Sequence, residues 1–124
     1  LQAKLFPSLT SGVSVVSDRY IHDTLLTHVA VDAAFTMERI EGVLRRWSVL
    51  LPKPDVSFLL DVPEEVAFAR KDDVPSLDYL RERRGVYLLL AKQQGMRVLD
   101  GTVSSQQVLQ SALEHVYSVC PALR

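Results

Sequence analysis

The sequence predicts an α/β fold in which helices flank a parallel sheet. Three short apolar segments, at residues 12–17, 55–62 and 96–100, are rich in β-branched and aliphatic residues and do not strictly alternate with polar ones. Such runs are typical of strands buried on both faces. Helical patterns separate the segments, and this alternation of strands and helices indicates right-handed crossovers in one sheet. We therefore expect one domain over residues 1–124.

The first two long connections each contain a predicted helix. Residues 36–51 place their apolar side chains on one stripe, which is typical of an amphipathic helix. Residues 63–71 form a second, shorter helix, because Pro63 suits a first helical position and acids follow it. The opening residues 1–9 have the pattern of the end of a helix.

The last two helices are predicted from their end signals. Ser76 is a plausible N-cap, and Gly95 is a suitable C-terminal stop for the helix that follows it. Ser104 and Gln107 have the spacing of a capping box, so the final helix is predicted over residues 104–119.

Composition excludes several classes of function. Fourteen Lys and Arg residues balance fifteen Asp and Glu residues, so no basic field favours nucleic acid or an anionic membrane. No apolar run approaches the roughly 18 residues that span a bilayer. The single cysteine, Cys120, excludes a disulfide within the chain and a cysteine metal cluster. A reducing, cytoplasmic location is the expectation, with no nucleic acid or membrane partner.

Charged residues follow each predicted strand. Asp18 and Arg19 follow the first strand, while Asp61 and Asp100 end the second and third. Ligands bind beyond the carboxyl ends of strands in sheets of this kind. A guanidinium there suits a phosphate, and the adjacent carboxylate can orient it or hold Mg²⁺ through water. A structural ion pair between the two side chains is an equally open alternative.

Three other polar segments are open to two interpretations each. Arg70 and Lys71 precede a break at residues 72–76 and could form a lid over phosphates, or simply stabilise a helix C-terminus. The loop at residues 100–105 could bind an anion or a base edge, or be a plain turn. The basic run at residues 81–84 is interpreted as the solvated face of a helix.

Four segments, taken in order, resemble the thymidylate kinase family of nucleoside monophosphate kinases, and they cover nearly the whole chain. The resemblance implies a P-loop kinase-like three-layer α/β/α fold. It also implies transfer of the γ-phosphoryl group of ATP, with Mg²⁺, to dTMP or a similar nucleotide. The segments are GVSVVSDRYIHDTL, LLPKPDVSFLLDVPEEVAFARK, RERRGVYLLLA and RVLDGTVSSQQV.

The family's donor-phosphate motif is absent from this chain. Such kinases carry a G-x-x-x-x-G-K-[ST] run, whereas the five glycines here are isolated. The chain therefore looks like the carboxyl-terminal portion of an incomplete fold whose first strands are missing. We expect a missing upstream segment of a larger polypeptide, or a homodimer, to complete it.

The resemblance assigns roles to particular residues. Asp18 and Arg19 would be catalytic, with Arg19 on the acceptor phosphate and Asp18 organising Mg²⁺. Tyr20, Asp23, Thr24, Thr27 and His28 would complete the acceptor site, and Arg70, Lys71, Asp100 and Thr102 would form the donor and lid site.

Two departures from the family keep other functions open. Thr27 and His28 stand where the family has Tyr and Gln, which touch thymine, so a related phosphotransferase with another acceptor is one alternative. The segment after Arg70 is shorter and less basic than a typical family lid. A non-catalytic, kinase-like binding or assembly module is therefore the other alternative.

Overall fold

The chain divides into two compact units, Leu1–Lys53 and Pro54–Arg124. One domain over all 124 residues stays a prediction. The computed structural model describes residues 7–21, 23, 37–47, 49–70 and 75–124.

The first unit contains the predicted amphipathic helix. Helix α1 spans Met37–Trp47, which confirms the prediction with a shorter extent. Ile40 lies on its apolar stripe and is fully buried. At the end of the helix, the amides of Leu50 and Leu51 both donate to the Trp47 carbonyl, and Pro52, which has no amide hydrogen, follows. Residues 7–10 are also helical, in agreement with the predicted helix end there.

The predicted strand at residues 12–17 is wrong. Residues 13–17 have no regular secondary structure, and the side chain of Val16 is 98% exposed. A strand forms only when its backbone pairs with a neighbour, and no described residue pairs with this segment. Asp18 and Arg19 therefore follow an irregular segment rather than a strand end.

The second unit contains the sheet. Strand β1, Phe58–Asp61, pairs in parallel with β2, Arg97–Asp100, and the register places Asp61 beside Asp100. The amide of Gly101 donates to the carbonyl of Asp61 at 2.7 Å, directly after the paired residues. Two of the three predicted strands are thus confirmed, and they end at the same edge of the sheet.

The helices of the second unit begin and end at the predicted signals. The Ser76 side chain accepts a hydrogen bond from the amide of Tyr79, and Gly95 ends that helix in the left-handed conformation. The reciprocal capping box of Ser104 and Gln107 is formed. The elements are α2, Glu64–Ala69; α3, Leu77–Gln94; α4, Ser105–Val119; and a final 3-10 turn, Pro121–Leu123.

Helices α3 and α4 pack against the two strands, and α2 packs against α3. Leu90 and Ala91 of α3 are buried together with Leu99 of β2. The ring of His115 on α4 meets Phe58 of β1 edge to face, with ring centroids 5.7 Å apart. The unit is therefore α/β, with a parallel sheet and flanking helices. In the part of the chain that the structure describes, no helix has the length and hydropathy needed to cross a membrane.

Candidate functional site

The donor and lid candidates meet at the carboxyl ends of β1 and β2. Nη1 of Arg70, which caps the C-terminus of α2, donates to the carbonyl of Gly101 at 3.2 Å. The carboxylate of Asp100 accepts hydrogen bonds from the amide and the hydroxyl of Thr102, at 2.8 and 2.6 Å. These two bonds lower the pKa of Asp100. We call residues 100–102 the Gly101 loop.

The structure thus brings Arg70, Asp100 and Thr102 together, although Arg70 is 31 residues away from Gly101 in sequence. A guanidinium and a loop of backbone polar groups at this edge can bind an anionic ligand. The fourth predicted residue, Lys71, lies outside the described residues. The binding roles of all four stay predictions.

In the first unit, Arg19 has an unusual backbone conformation. Its φ is 65°, which is uncommon for a residue other than glycine. The hydroxyl of Ser17 donates to the Arg19 carbonyl at 2.8 Å. The Arg19 side chain is 77% exposed, and its Nε lies 3.8 Å from Oδ2 of Asp23. An exposed pair at this distance is weak, so the guanidinium can turn to another anion.

Tyr20 links this segment to the end of the first unit. Its hydroxyl donates to the carbonyl of Pro52 at 2.8 Å, and burial raises its pKa. Asp18 is exposed. The remaining predicted acceptor residues, Thr24, Thr27 and His28, lie outside the described residues.

A single exposed carboxylate fits the way Mg²⁺ is bound in phosphotransferases. Magnesium takes one or two carboxylates and completes its shell with water and substrate phosphates. Asp18 can supply one such ligand. Within the described ranges, no group of three or more His, Cys, Asp or Glu side chains could hold a metal by itself.

An ion-pair chain in the second unit was not predicted. The guanidinium of Arg84 on α3 binds both carboxylate oxygens of Asp61, at 2.8 and 2.9 Å. Its third contact is to Oε2 of Glu64, at 2.9 Å. Nε of Arg81 donates to the other oxygen of Glu64 at 3.0 Å, and Nη1 of Arg81 donates to Asp78 at 2.8 Å.

The hydrogen bonds of this cluster favour the ionised forms of Glu64 and Asp61. A hydrogen bond from the Glu64 backbone amide, followed by those from Arg81 and Arg84, lowers the Glu64 pKa to about 2. The bidentate bond from Arg84 lowers the pKa of Asp61, and both carboxylates raise the pKa of Arg84.

The interpretation of residues 81–84 as a solvated face is therefore wrong for Arg84, whose side chain is 34% exposed and fully engaged. The sequence carried part of this signal. Arg81 and Arg84 are three residues apart and therefore lie on the same face of α3, although this spacing does not identify the acids that they bind.

Comparison with known proteins identifies relatives of the chain. A probable thymidylate kinase of Metallosphaera sedula is 33% identical over 110 residues, which are 82% of this chain and 52% of the relative. The thymidylate kinase of Oenococcus oeni is 32% identical over 90% of this chain and 57% of its own length. That of Chlamydia muridarum is 27% identical over 99% of this chain and 61% of its own length. No family model matches.

The parallel strands and flanking helices are compatible with a partial fold of the P-loop kinase class. Within that class, the chain is a homologue of thymidylate kinases over most of its length, consistent with the carboxyl-terminal portion of that family. The resemblance found in the sequence is thus confirmed. The chain spans about half to three fifths of the length of these relatives, from 52% to 61%.

Proposed function

We propose that this chain is part of a nucleoside monophosphate kinase that transfers the γ-phosphoryl group of ATP to dTMP or a similar nucleotide. The larger polypeptide would supply the remaining parts of the site. The observation that carries the proposal is the meeting of Arg70 with the Gly101 loop at the carboxyl ends of two parallel strands. The relatives, which are named thymidylate kinases, support the same reaction.

On the donor side, Arg70 uses one N–H group on the Gly101 carbonyl. A guanidinium has five N–H groups and a flat face, so the same side chain can contact phosphate oxygens or stack on a nucleobase. Asp100 and Thr102 shape the adjoining loop, and Lys71 would add a second cation. These residues would bind ATP.

On the acceptor side, Arg19 would bind the phosphate of the nucleoside monophosphate. Its exposure and its long contact with Asp23 leave the guanidinium available for that exchange of partners. Asp18 would hold Mg²⁺, which neutralises charge on the transferred phosphoryl group when it is bound. Tyr20, Asp23, Thr24, Thr27 and His28 would contribute to the pocket for the acceptor.

The partners would be small nucleotides rather than nucleic acids, in the cytoplasm. Completion of the sheet by an upstream segment, or by a second copy in a homodimer, belongs to the same proposal.

The test compares Arg19→Ala with Arg46→Ala in the longest natural polypeptide that contains this sequence. Arg46 is an exposed arginine of α1 and serves as the charge-matched control. With ATP and Mg²⁺ in a coupled assay, we expect Arg19→Ala to lower kcat/KM for dTMP by about 100-fold or more, because one charge-stabilising contact is worth that much. The control should stay within about twofold.

Full activity of Arg19→Ala would contradict the role of Arg19. No ATP binding by calorimetry to the unmodified polypeptide would indicate a non-catalytic module instead. A panel of nucleotides and nucleosides in the same assay would reveal a different acceptor.

A further inference from the structure

Arg84 joins the end of β1 to the beginning of α2. Its Nε and Nη2 bind the two carboxylate oxygens of Asp61, the last residue of β1. Its Nη1 binds Glu64, the first residue of α2. The side chains of Asp61 and Glu64 are only 21% and 12% exposed, so water competes little for these bonds. One planar guanidinium therefore fixes the turn between a strand and a helix.

Helix α2 depends on such outside contacts. It has six residues, and its N-cap, Pro63, makes no side-chain capping bond. An isolated helix of this length is not stable, since too few hydrogen bonds offset the cost of nucleation. Its N-terminal end is held by Arg84, and Arg70 at its C-terminal end is tied to the Gly101 carbonyl.

These contacts close a ring. The backbone carbonyl of Asp61 accepts the amide of Gly101 at 2.7 Å, while the carbonyl of Gly101 accepts from Arg70. The Asp61 side chain leads back through Arg84 and Glu64 to α2, which ends at Arg70. Loss of Arg84 would remove the link between Asp61 and Glu64, and Glu64 would keep only its bond from Arg81.

We propose that Arg84 is a positioning residue for the donor nucleotide, because it holds Arg70 and the Gly101 loop in the geometry that binds the nucleotide. This inference rests on the proposed function for the identity of the ligand. The ring itself is a property of the protein without any ligand, so the two can be tested separately.

The first experiment measures amide hydrogen exchange without nucleotide, in the longest natural polypeptide that contains this sequence. We expect Arg84→Met to lower the protection of the Gly101 and Arg70 amides, because the ring is opened. Arg83→Ala is the matched control. Arg83 neighbours Arg84, but its guanidinium donates to Tyr79 within the same helix and lies 5.2 Å from that ring. The control should leave this protection unchanged.

The second experiment measures nucleotide binding by calorimetry. We expect Arg84→Met to raise the Kd for ATP about tenfold and to leave the Kd for dTMP within about twofold. A general loss of folding would weaken the binding of both ligands together. Arg84→Lys keeps the charge but cannot form the bidentate bond, so its Kd for ATP should rise less, by about threefold. It also provides a folded variant if Arg84→Met does not fold.

A double-mutant cycle tests whether Arg84 acts through Arg70. The rise in the Kd for ATP in the double variant Arg70→Ala with Arg84→Met should be smaller than the product of the two single rises, because part of the effect of Arg84 passes through Arg70. Independent roles would instead multiply the two effects, and that result would overturn the inference.

Unchanged protection of the Gly101 amide in folded Arg84→Met would also overturn the inference. An equal weakening of ATP binding and dTMP binding would do the same. Failure of the proposed function has a different signature. In that case the unmodified polypeptide binds no ATP, whereas the exchange experiment still reports on the ring.

Discussion

Gly101 directly follows β2 and lies against the end of β1, where its amide donates to the Asp61 carbonyl. A Cβ atom at this position would be 2.5 Å from Cγ2 of Val62 and 3.0 Å from the carbonyl oxygen of Asp61. The first distance is shorter than real Cβ contacts, the second is tighter than nearly all of them, and the second neighbour is backbone that cannot rotate away. The residue is therefore small because of its surroundings, and its carbonyl can face Arg70 only if this close approach is kept.

We expect Gly101→Ala to destabilise the protein by about 1–3 kcal/mol, since overpacking of a tight site costs that much. Gly85→Ala is the control, because a Cβ there meets nothing within 4 Å in the middle of α3. That change should stabilise the protein by about 0.5–1 kcal/mol through helix propensity. Urea denaturation measures both, and equal effects of the same sign would contradict the explanation.

Helix α2 begins with a carboxylate that two arginines bind. Glu64 occupies the first turn, where the helix dipole favours a negative charge, and two arginines bind its carboxylate. The hydrogen bond from the Glu64 backbone amide, followed by those from Arg81 and Arg84, lowers the Glu64 pKa to about 2 from an ordinary value of 4.5. Folding is therefore linked to the loss of a proton from this one group.

The stabilising contribution of Glu64 should be complete above about pH 4.5 and should disappear as the pH falls towards about 2. The unfolded chain binds the proton more tightly, so protonation favours unfolding. We expect the urea midpoint of the unmodified protein to fall over this range, and that of Glu64→Gln to fall less. The urea midpoints of the two proteins should converge as the pH approaches about 2.

Glu82→Gln is the control for this pH series, because Glu82 is exposed on α3 and forms no ion pair among the described residues. Its curve should run parallel to that of the unmodified protein. A Glu64→Gln curve with the same slope would show that the ion-pair chain does not govern acid stability. The pKa of Asp61 is lowered as well, so some acid sensitivity should remain in Glu64→Gln.

The molecule as a whole exposes apolar residues along its strands and in the segment predicted as a strand. Among the described residues, the sheet has two strands, and Leu60 of β1 is 54% exposed. Val98 of β2 is also exposed, and so are Val13, Val15 and Val16. Unpaired strand edges with apolar side chains favour association with another polypeptide segment or with a second copy of the chain.

We expect this chain to associate as its concentration rises, and Leu60→Lys to reduce the association, because a charge at a strand edge opposes pairing. Sedimentation velocity over a concentration series measures it. Leu109→Lys is the control, since Leu109 is 57% exposed but lies on α4. An equal reduction in the control would indicate nonspecific hydrophobic association rather than strand pairing through β1.

Local signals account for the elements that the sequence predicted well. Ser76, Gly95 and the Ser104–Gln107 box each act on backbone groups within a few residues, so their effect does not depend on the rest of the molecule. The predicted strand at 12–17 had an equally clear apolar pattern and was wrong. A pattern can show that a segment suits a strand, but a strand also needs a neighbour.

Among the described residues, the sequence by itself determined the α/β class, helices α1 to α4, the two paired strands and the resemblance to thymidylate kinases. Only the tertiary structure decided that Arg84 binds Asp61, 23 residues away, and that Arg70 meets Gly101, 31 residues away. The physical reason is that helix ends and turns are set by neighbours in sequence. An ion pair or a hydrogen bond between distant residues is set by how folding brings separate elements together.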